Sequence, residues 1–319
     1  MHLAFILDPL DTLKAYKDTS LAIMREAAQR GHQLYVGMQG GLLLRHDKVK
    51  LITQSFKFID MPDWYGLGLA NESALCDFDA VLMRKDPPFD NEYLYSTYLL
   101  ELAAGQGARI LNNPASVRSW NEKLSIARFS QFAPAFLVTR DNDLIRDFLA
   151  EHGDIVVKPL DGMGGSGVFR LQTGDPNINV ILETITDLGQ RMVMAQRYLL
   201  QIKQGDKRII VIDGEPLPYA LARIPKAGET RGNLAAGGTG VAQLLTDRDR
   251  EIATIVGKVL KQHGLFLVGL DVIGDYLTEI NVTSPTGMVE IATQTQGMKQ
   301  ACNPAQIFVD VLERECATT

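Results

Sequence analysis

Short apolar runs alternate with amphipathic stretches along the first third of the chain. The apolar runs predict strands at residues 3–7, 33–38, 79–83 and 109–112. The amphipathic stretches predict helices at 91–104 and at 18–30, with Asp18 or Thr19 as the cap of the latter and Gly31 as its end. This alternation is typical of a small parallel α/β sheet. Residues 40–75 are too irregular for an assignment.

The pattern changes after residue 113. A short helix within 114–124 ends near Lys123 and predicts a joint to the rest of the chain. Further strands are predicted near 135–138, 155–158, 168–171, 192–195, 207–212 and 218–224, and helices near 141–151, 176–188, 247–263 and 304–314. We therefore predict an α/β protein with an N-terminal parallel α/β domain, residues 1–121. An α+β domain follows at 122–319, in lobes 122–200 and 201–319.

A glycine-dense loop follows directly on a lysine that ends an apolar run. The run predicts a buried strand ending at Lys158, and the loop contains Gly162, Gly164, Gly165 and Gly167. Glycine lets backbone lie against a ligand, and exposed N–H groups beside one fixed cation suit a polyphosphate. The loop matches neither the P-loop nor the dinucleotide fingerprint, because its lysine precedes the glycines. A β-hairpin with a flexible turn is the alternative interpretation.

Acidic and amide side chains mark a second candidate site within residues 268–286. The segment predicts two strands joined at Gly274 and Asp275, with Asp271 on the first strand and Glu279 and Asn281 on the second. Alternation places Glu279 and Asn281 on one face, and Asp271 can face them across the hairpin. A cluster of oxygens with net negative charge in an apolar sheet favours a cation, and these donors suit Mg²⁺. Ordinary polar residues at strand ends are the alternative.

Composition excludes several classes of protein. The chain has 319 residues, of which 46% are hydrophobic and 22% charged, and its net charge is −6. No basic run with interleaved aromatic residues points to nucleic acid, and no apolar stretch is long enough to span a membrane. Asp8 interrupts the first apolar run, which is therefore a strand and not a signal peptide. Three widely spaced cysteines predict a reducing compartment, and we expect a cytoplasmic protein.

One long loop covers residues 225–241 and is rich in glycine. Loops of this length without regular structure are usually functional or disordered. Because strongly apolar strands flank it, we predict a lid that closes over a reactive intermediate.

Several blocks together resemble the bacterial glutathione synthetase family of the ATP-grasp superfamily. They lie at 83–90 (MRKDPPFD beginning at Met83), 121–124 (NEKL), 158–165, 205–208, 221–225, 228–238 and 277–286. The resemblance runs from residue 3 to about 286 and implies an ATP-grasp domain at 122–319. It implies ligation of γ-glutamylcysteine and glycine through an acyl phosphate, with ATP as co-substrate and Mg²⁺, or Mn²⁺, as cofactor. It also implies a homo-oligomer, often a tetramer.

The resemblance assigns roles to individual residues. Those for ATP are Lys123, Lys158, Gly164, Gly165, Gln196, Tyr198 and Asp206. Arg208 and Arg223 would hold the acyl phosphate, since guanidinium groups match such oxygens bidentately. Asp271, Glu279 and Asn281 would hold the metal ions. Arg84, Ser284 and Thr286 would contact the peptide substrate. For Lys17, Asp18 and Ser20 a helix cap is favoured over ligand contact.

The chain departs from the family pattern at three places: Arg197 stands where asparagine is expected, Thr239 where arginine is expected, and the tail after Thr286 diverges. Two other functions stay open. One is another ATP-grasp ligase, of the D-alanine–D-alanine or glutamate-adding type. The other is a nucleotide-binding regulatory module without catalysis, which would need broken metal ligands.

Overall fold

The computed structural model describes residues 1–60, 64–228, 232, 234 and 237–317. Within these residues the strands form three sheets that follow one another along the chain. No helix of the described part is long and apolar enough to cross a membrane.

The first sheet contains the N-terminal part of the chain. Its elements are β1 (His2–Leu7), α1 (Thr19–Gln29), β2 (Gln33–Met38), β3 (Leu42–Arg45), β4 (Lys48–Phe58), β5 (Tyr65–Leu67), β6 (Asn71–Ala74), β7 (Ala80–Met83), α2 (Asn91–Gly105), β8 (Ile110–Leu111) and α3 (Pro114–Ser119). Strands β2, β1, β7 and β8 are parallel, which confirms the expected core of this domain. The unassigned stretch 40–75 supplies antiparallel strands at one edge, where β4 pairs with β2, β3, β5 and β6. The predicted helix within 114–124 ends at Ser119, before Lys123.

The second sheet is antiparallel and lies between the predicted domain boundary and residue 200. It comprises β9 (Phe136–Thr139), α4 (Asn142–His152), β10 (Asp154–Pro159), β11 (Phe169–Gln172), α5 (Ile178–Ile185) and β12 (Val193–Arg197), in the strand order β11-β10-β12-β9. An apolar core made of Ile155, Val157, Leu171 and Val193 packs one face of the sheet against α4 and α5. Lys158 lies at the end of β10, as the sequence predicts.

The third sheet is also antiparallel, in the order β15-β14-β13-β16-β17. Its elements are β13 (Asp206–Ile212), β14 (Glu215–Ile224), β15 (Thr239–Leu244), α6 (Asp247–Gln262), β16 (Leu267–Ile273) and β17 (Tyr276–Asn281). Strand β15 begins at Thr239, so the end of the predicted lid 225–241 is regular strand and that boundary is wrong. Residues 229–231, 233, 235 and 236 of the lid lie outside the described residues.

The two faces of the third sheet have different partners. One face carries Ile209, Leu270 and Ile280 against α6. The opposite face carries Ile210 and Ile212 in a cluster shared with two helices, α7 (Met288–Thr295) and α8 (Pro304–Ala317). Only the polar end of this second face is left for the candidate site.

The C-terminal helix returns to the N-terminal part of the chain. Helix α8, which the sequence analysis placed in the second lobe, packs on α1, and Arg30 pairs with Asp310 and Glu313 at 2.7 and 2.9 Å. A second link is Asn112, whose side chain bonds the backbone of Leu267 and Val282. These contacts fix the third sheet against the first.

Candidate active site

A cleft of about 540 Å³ is lined by residues of the second and third sheets and by residues that lie outside the strands of the N-terminal part. Of the residues predicted from the sequence to form a site, all but Arg84 line it: Lys123, Lys158, Gly164, Gly165, Gln196, Tyr198, Asp206, Arg208, Arg223, Asp271, Glu279, Asn281, Ser284 and Thr286. Residues that are up to 163 positions apart in sequence therefore share one cavity.

Strand register explains why the charged residues meet. Arg208 on β13 is directly opposite Asp271 on β16, and Asp271 is directly opposite Glu279 on β17. Directly opposed residues project from the same face of a sheet, so the three side chains form a row across three strands. Arg208 donates to both oxygens of Asp271, at 2.5 Å from Nε and 3.0 Å from Nη2.

Arg223 adds a second arginine to this row from β14. It is directly opposite Asp206 on β13, and its Nη2 bonds Asp206 and lies 2.8 Å from Oδ2 of Asp271. Burial acts to raise the pKa of Asp271, but Arg208 and Arg223 outweigh it and hold this pKa well below its usual range. Burial raises the pKa of Asp206 to about 6 despite its arginine partner, and its Oδ1 is buried without a hydrogen-bond partner among the described residues.

Glu279 brings the two predicted ATP lysines together. Its Oε1 lies 3.2 Å from Nζ of Lys158 and 3.9 Å from Nζ of Lys123. Both lysines are buried, so neither is a solvated surface residue. Burial opposes ionisation of Glu279, but Lys123 and Lys158 outweigh it and lower the pKa of this carboxyl.

These pairings correct one premise of the sequence analysis. The cluster of Asp271, Glu279 and Asn281 was expected to need an external cation, yet the protein's own arginines and lysines neutralise both carboxylates. Among the described residues, no group of three or more His, Cys, Asp or Glu side chains could hold a metal ion. The metal assignment therefore depends on two carboxylates and one amide.

The donor chemistry of these three residues nevertheless fits Mg²⁺. All can offer hard oxygens, and few carboxylates suffice where phosphate oxygens complete the coordination. Nδ2 of Asn281 donates to the carbonyl of Gly269 at 3.3 Å, and this bond leaves the amide oxygen available. Both oxygens of Asp271 accept bonds from Arg208 and Arg223, so a cation bound there would share this carboxylate with the arginines or displace one of them.

The glycine loop lies beside the lysines. Nζ of Lys123 donates to the carbonyl of Gly162 at 2.6 Å and so joins the loop to the charged row. A Cβ on Gly162 would lie 2.7 Å from Cγ of Pro159. Gly164 and Gly165 have φ values of +63° and +81°, a conformation that other residues rarely adopt. The loop therefore requires glycine to lie against the cleft.

Polar groups without partners line the far end of the cleft, at the end of β12. The buried Nε2 of Gln196 and the Nε of Arg197 have no hydrogen-bond partner among the described residues. The Arg197 guanidinium lies 5.3 Å from the ring of Tyr276, and Arg170 lies 3.8 Å from the ring of Tyr198. Unpaired donors together with aromatic rings and guanidinium planes make a suitable environment for a planar heterocycle.

The other end of the cleft is closed by the segment after β17. Oγ of Ser284 donates to Oδ1 of Asp86 at 2.5 Å. Arg84, which the sequence analysis expects to contact a substrate, is not among the residues that line the cleft. Its guanidinium is buried and donates to Oγ of Ser20 and to the carbonyls of Thr283 and Pro285. Arg84 thus holds the segment that contains Ser284 against α1.

Comparisons with known proteins agree with this arrangement. The model of the N-terminal domain of prokaryotic glutathione synthetase matches residues 1–118, and that of its ATP-grasp domain matches residues 122–296. The chain belongs to the prokaryotic glutathione synthetase family. The glutathione synthetase of Nitrosomonas europaea is 58% identical over 99% of both chains. That of Bordetella parapertussis is 56% identical over 98% of this chain and 99% of its own.

Solved structures confirm the ATP-grasp fold. The D-cycloserine synthetase DcsG superposes with a TM-score of 0.68 at 16% identity, covering 99% of this chain and 100% of its own. The ATP-grasp ligase PsnB, solved with a precursor peptide and AMPPNP, gives a TM-score of 0.63 at 17% identity, covering 99% and 98%. Identity this low supports the fold alone. The family match to residue 296 extends beyond Thr286, where the sequence analysis ended the resemblance.

The cleft of this glutathione synthetase family member also contains residues for which the sequence analysis predicted no role in binding. Glu122 and Asp86 both line it, and each belongs to a block quoted for the resemblance without receiving a role. Lys17 and Asp18 line it too. Asp18 is the N-cap of α1, accepting from the backbone N–H of Leu21 at 2.8 Å, so the predicted cap is confirmed.

Proposed function

We propose that this protein is an ATP-dependent carboxylate–amine ligase that joins γ-glutamylcysteine to glycine, releasing glutathione, ADP and phosphate. The observation that carries the proposal is the cleft itself, in which two lysines, two arginines and two carboxylates converge beside a glycine loop. Its support is the identity of 58% to a glutathione synthetase over 99% of the chain.

The chemistry explains why such a site is needed. A carboxylate is a poor acyl donor, so the γ-phosphoryl group of ATP first moves to a carboxylate oxygen of γ-glutamylcysteine and ADP leaves. The nitrogen of glycine then forms the C–N bond, while the C–O bond to phosphate breaks with its electron pair on the phosphate. The nitrogen enters as ammonium and loses two protons in total. The protein contributes position and charge neutralisation.

The roles of the side chains follow from their places in the cleft. Lys123 and Lys158 neutralise the ATP phosphates, and the loop with Gly164 and Gly165 covers them. When nucleotide binds, these lysines exchange the carboxylate of Glu279 for phosphate oxygens. The polar end of the cleft, with Gln196 and Tyr198, receives adenine, and Asp206 lies on the nucleotide side.

Arg208 and Arg223 hold the acyl phosphate and the tetrahedral intermediate that follows it. Both guanidinium groups are buried, and a buried guanidinium binds an oxyanion in a fixed bidentate geometry. Ser284 and Thr286 contact the peptide substrate.

Asp271, Glu279 and Asn281 would hold Mg²⁺, or Mn²⁺. A bound divalent cation neutralises phosphate charge and orients the γ-phosphate for transfer. A homo-oligomer, a tetramer by resemblance to the family, is part of the proposal. So is a cytoplasmic location, which agrees with the absence of any disulfide among the three cysteines.

The test is ADP release with purified protein, Mg²⁺ and ATP, with product masses determined. We expect release only when γ-glutamylcysteine and glycine are both present, with glutathione as the product. Faster turnover with two D-alanines, or with glutamate as acceptor, would assign the chain to another ATP-grasp activity. Tight ATP binding without turnover of any pair would make it a regulatory module.

A further inference from the structure

Glu122 is a carboxylate of the cleft that the proposed reaction does not yet use. Its backbone carbonyl accepts from the N–H of Ile280 at 2.8 Å, between the two proposed metal ligands on β17. Its Oε1 accepts from Oγ1 of Thr283 at 3.0 Å, and Thr283 directly precedes Ser284. The carboxyl group is thus held where the phosphate end of the cleft meets the peptide end.

Glu122 also differs from its acidic neighbours in charge balance. Asp206, Asp271 and Glu279 each have an arginine or lysine within 4.0 Å, whereas no described cation lies that close to Glu122. Among the described residues, the hydrogen-bond partner of its side chain is a neutral hydroxyl. Burial, and then the charge of Glu279, raise the pKa of the Glu122 carboxyl, while the charges of Lys123 and Arg208 act in the opposite direction. A partly buried carboxylate without an ion-pair partner is a binding group for a cation supplied by a ligand.

Other acids of the cleft also lack a cation partner among the described residues, namely Asp18, Asp86 and Glu290. Asp18 caps α1 and Asp86 bonds Ser284 at the far end, while Glu290 lies on α7. Glu122 alone among them is bonded to β17 between Glu279 and Asn281. Among the acids of the cleft without an ion-pair partner, Glu122 is therefore the one that is held next to the proposed metal ligands.

We infer that Glu122 binds the ammonium group of the acceptor amino acid and places its nitrogen next to the activated carboxyl carbon. This inference rests on the proposed function. Glycine is the substrate that must bring its primary ammonium group to the place where the phosphate end of the cleft meets the peptide end. Thr283 donates to one oxygen of the Glu122 carboxylate, and the other oxygen is available for an N–H donor. The proton balance of the ligation is unchanged, since Glu122 is assigned the binding of glycine and not the removal of its protons.

The test uses Glu122→Gln, which keeps an oxygen for Thr283 and removes the charge. We expect the KM for glycine to rise by about 10- to 100-fold, as for a lost hydrogen bond between charged groups. The KM values for γ-glutamylcysteine and ATP should stay within about threefold. Hydroxylamine, which is mostly neutral at pH 8 and needs no ammonium site, should trap the acyl phosphate as hydroxamate at nearly the wild-type rate.

Three outcomes decide the inference. An unchanged KM for glycine overturns it, and so does an equal loss of hydroxamate and glutathione formation, which indicates a structural role. Glu183→Gln makes the same chemical change at an exposed position outside the cleft and serves as the control. If Glu122→Gln does not fold, Thr283→Val removes the hydroxyl that orients the Glu122 carboxylate; an unchanged KM for glycine in that variant overturns the inference. Inactive wild-type protein would instead refute the proposed function.

Discussion

Replacing Glu279 by glutamine tests the charged row most severely. The change keeps the shape of the side chain but removes the counter-charge of two buried lysines. Nζ of Lys158 and Nζ of Lys123 lie 3.2 and 3.9 Å from its Oε1. The variant therefore loses a proposed metal ligand and leaves two neighbouring cations unneutralised.

The distances set the size of the effect on stability. At an effective dielectric constant of about 20, each pair contributes an attraction of about 4–5 kcal/mol before desolvation is counted. Because 24% of the Glu279 side chain is exposed, solvent relieves part of the loss, and we expect the free energy of unfolding to fall by about 1–3 kcal/mol. A protein with a typical stability of about 5–15 kcal/mol stays folded after such a change.

Turnover should fall far more than stability. Losing one charged ligand at the phosphate site should slow ADP release by at least about 100-fold, equal to about 3 kcal/mol of the barrier. ADP release is measured in a coupled assay, and folding is followed by circular dichroism, with Glu183→Gln as the control. Near-normal turnover in a folded Glu279→Gln variant would refute the assignment of Glu279 to the metal and phosphates.

Three further predictions use other parts of the structure. Arg223→Met should slow hydroxamate formation from γ-glutamylcysteine by about 100-fold, since it removes one guanidinium group that holds the acyl phosphate. An unchanged rate would show that the role of this arginine is purely structural. Gly162→Ala places a Cβ 2.7 Å from a proline ring and should raise the KM for ATP by about tenfold. Gly105→Ala, whose Cβ would have nothing within 4 Å, should leave this KM unchanged. Equal KM values in the two variants would contradict the proposed packing of the loop against ATP. Burial raises the pKa of the Cys302 thiol to about 11, so maleimide at pH 8 should label the exposed Cys76 first; mass mapping of the labelled peptides checks this order.

Local patterns predicted the elements that have strong periodicity or clear caps. Strands β1, β2 and β7 follow from short apolar runs, and α1 begins at the capping Asp18. The strands within 40–75 were missed although Arg45 of β3 lies opposite Lys48 of β4 in a tight hairpin. Strand β4 exposes Ile52 and buries Thr53, which obscures its alternation of polar and apolar residues. Strand β15 was missed because its first residues are rich in glycine and threonine beside a long loop.

Site residues were found more readily than their interactions. Glycine density, the strand-end lysine and the acidic hairpin pointed to Lys158 and Glu279, which lie 3.2 Å apart. The register that sets Arg208 opposite Asp271 joins residues 63 positions apart, so the neutralisation of that carboxylate was not predictable from spacing. The hydrogen-bond partners of Arg84 were not predictable for the same reason, because they lie on α1 and after β17.

In the proposed reaction, the cleft activates a carboxylate by transferring a phosphoryl group to it. The most direct test uses γ-glutamylcysteine labelled with ¹⁸O in its cysteinyl carboxylate, together with ATP and glycine. We expect each turnover to move one ¹⁸O atom into inorganic phosphate, seen by mass spectrometry or ³¹P NMR, and to yield ADP. Label recovered in AMP, or phosphate without label, would contradict this reaction.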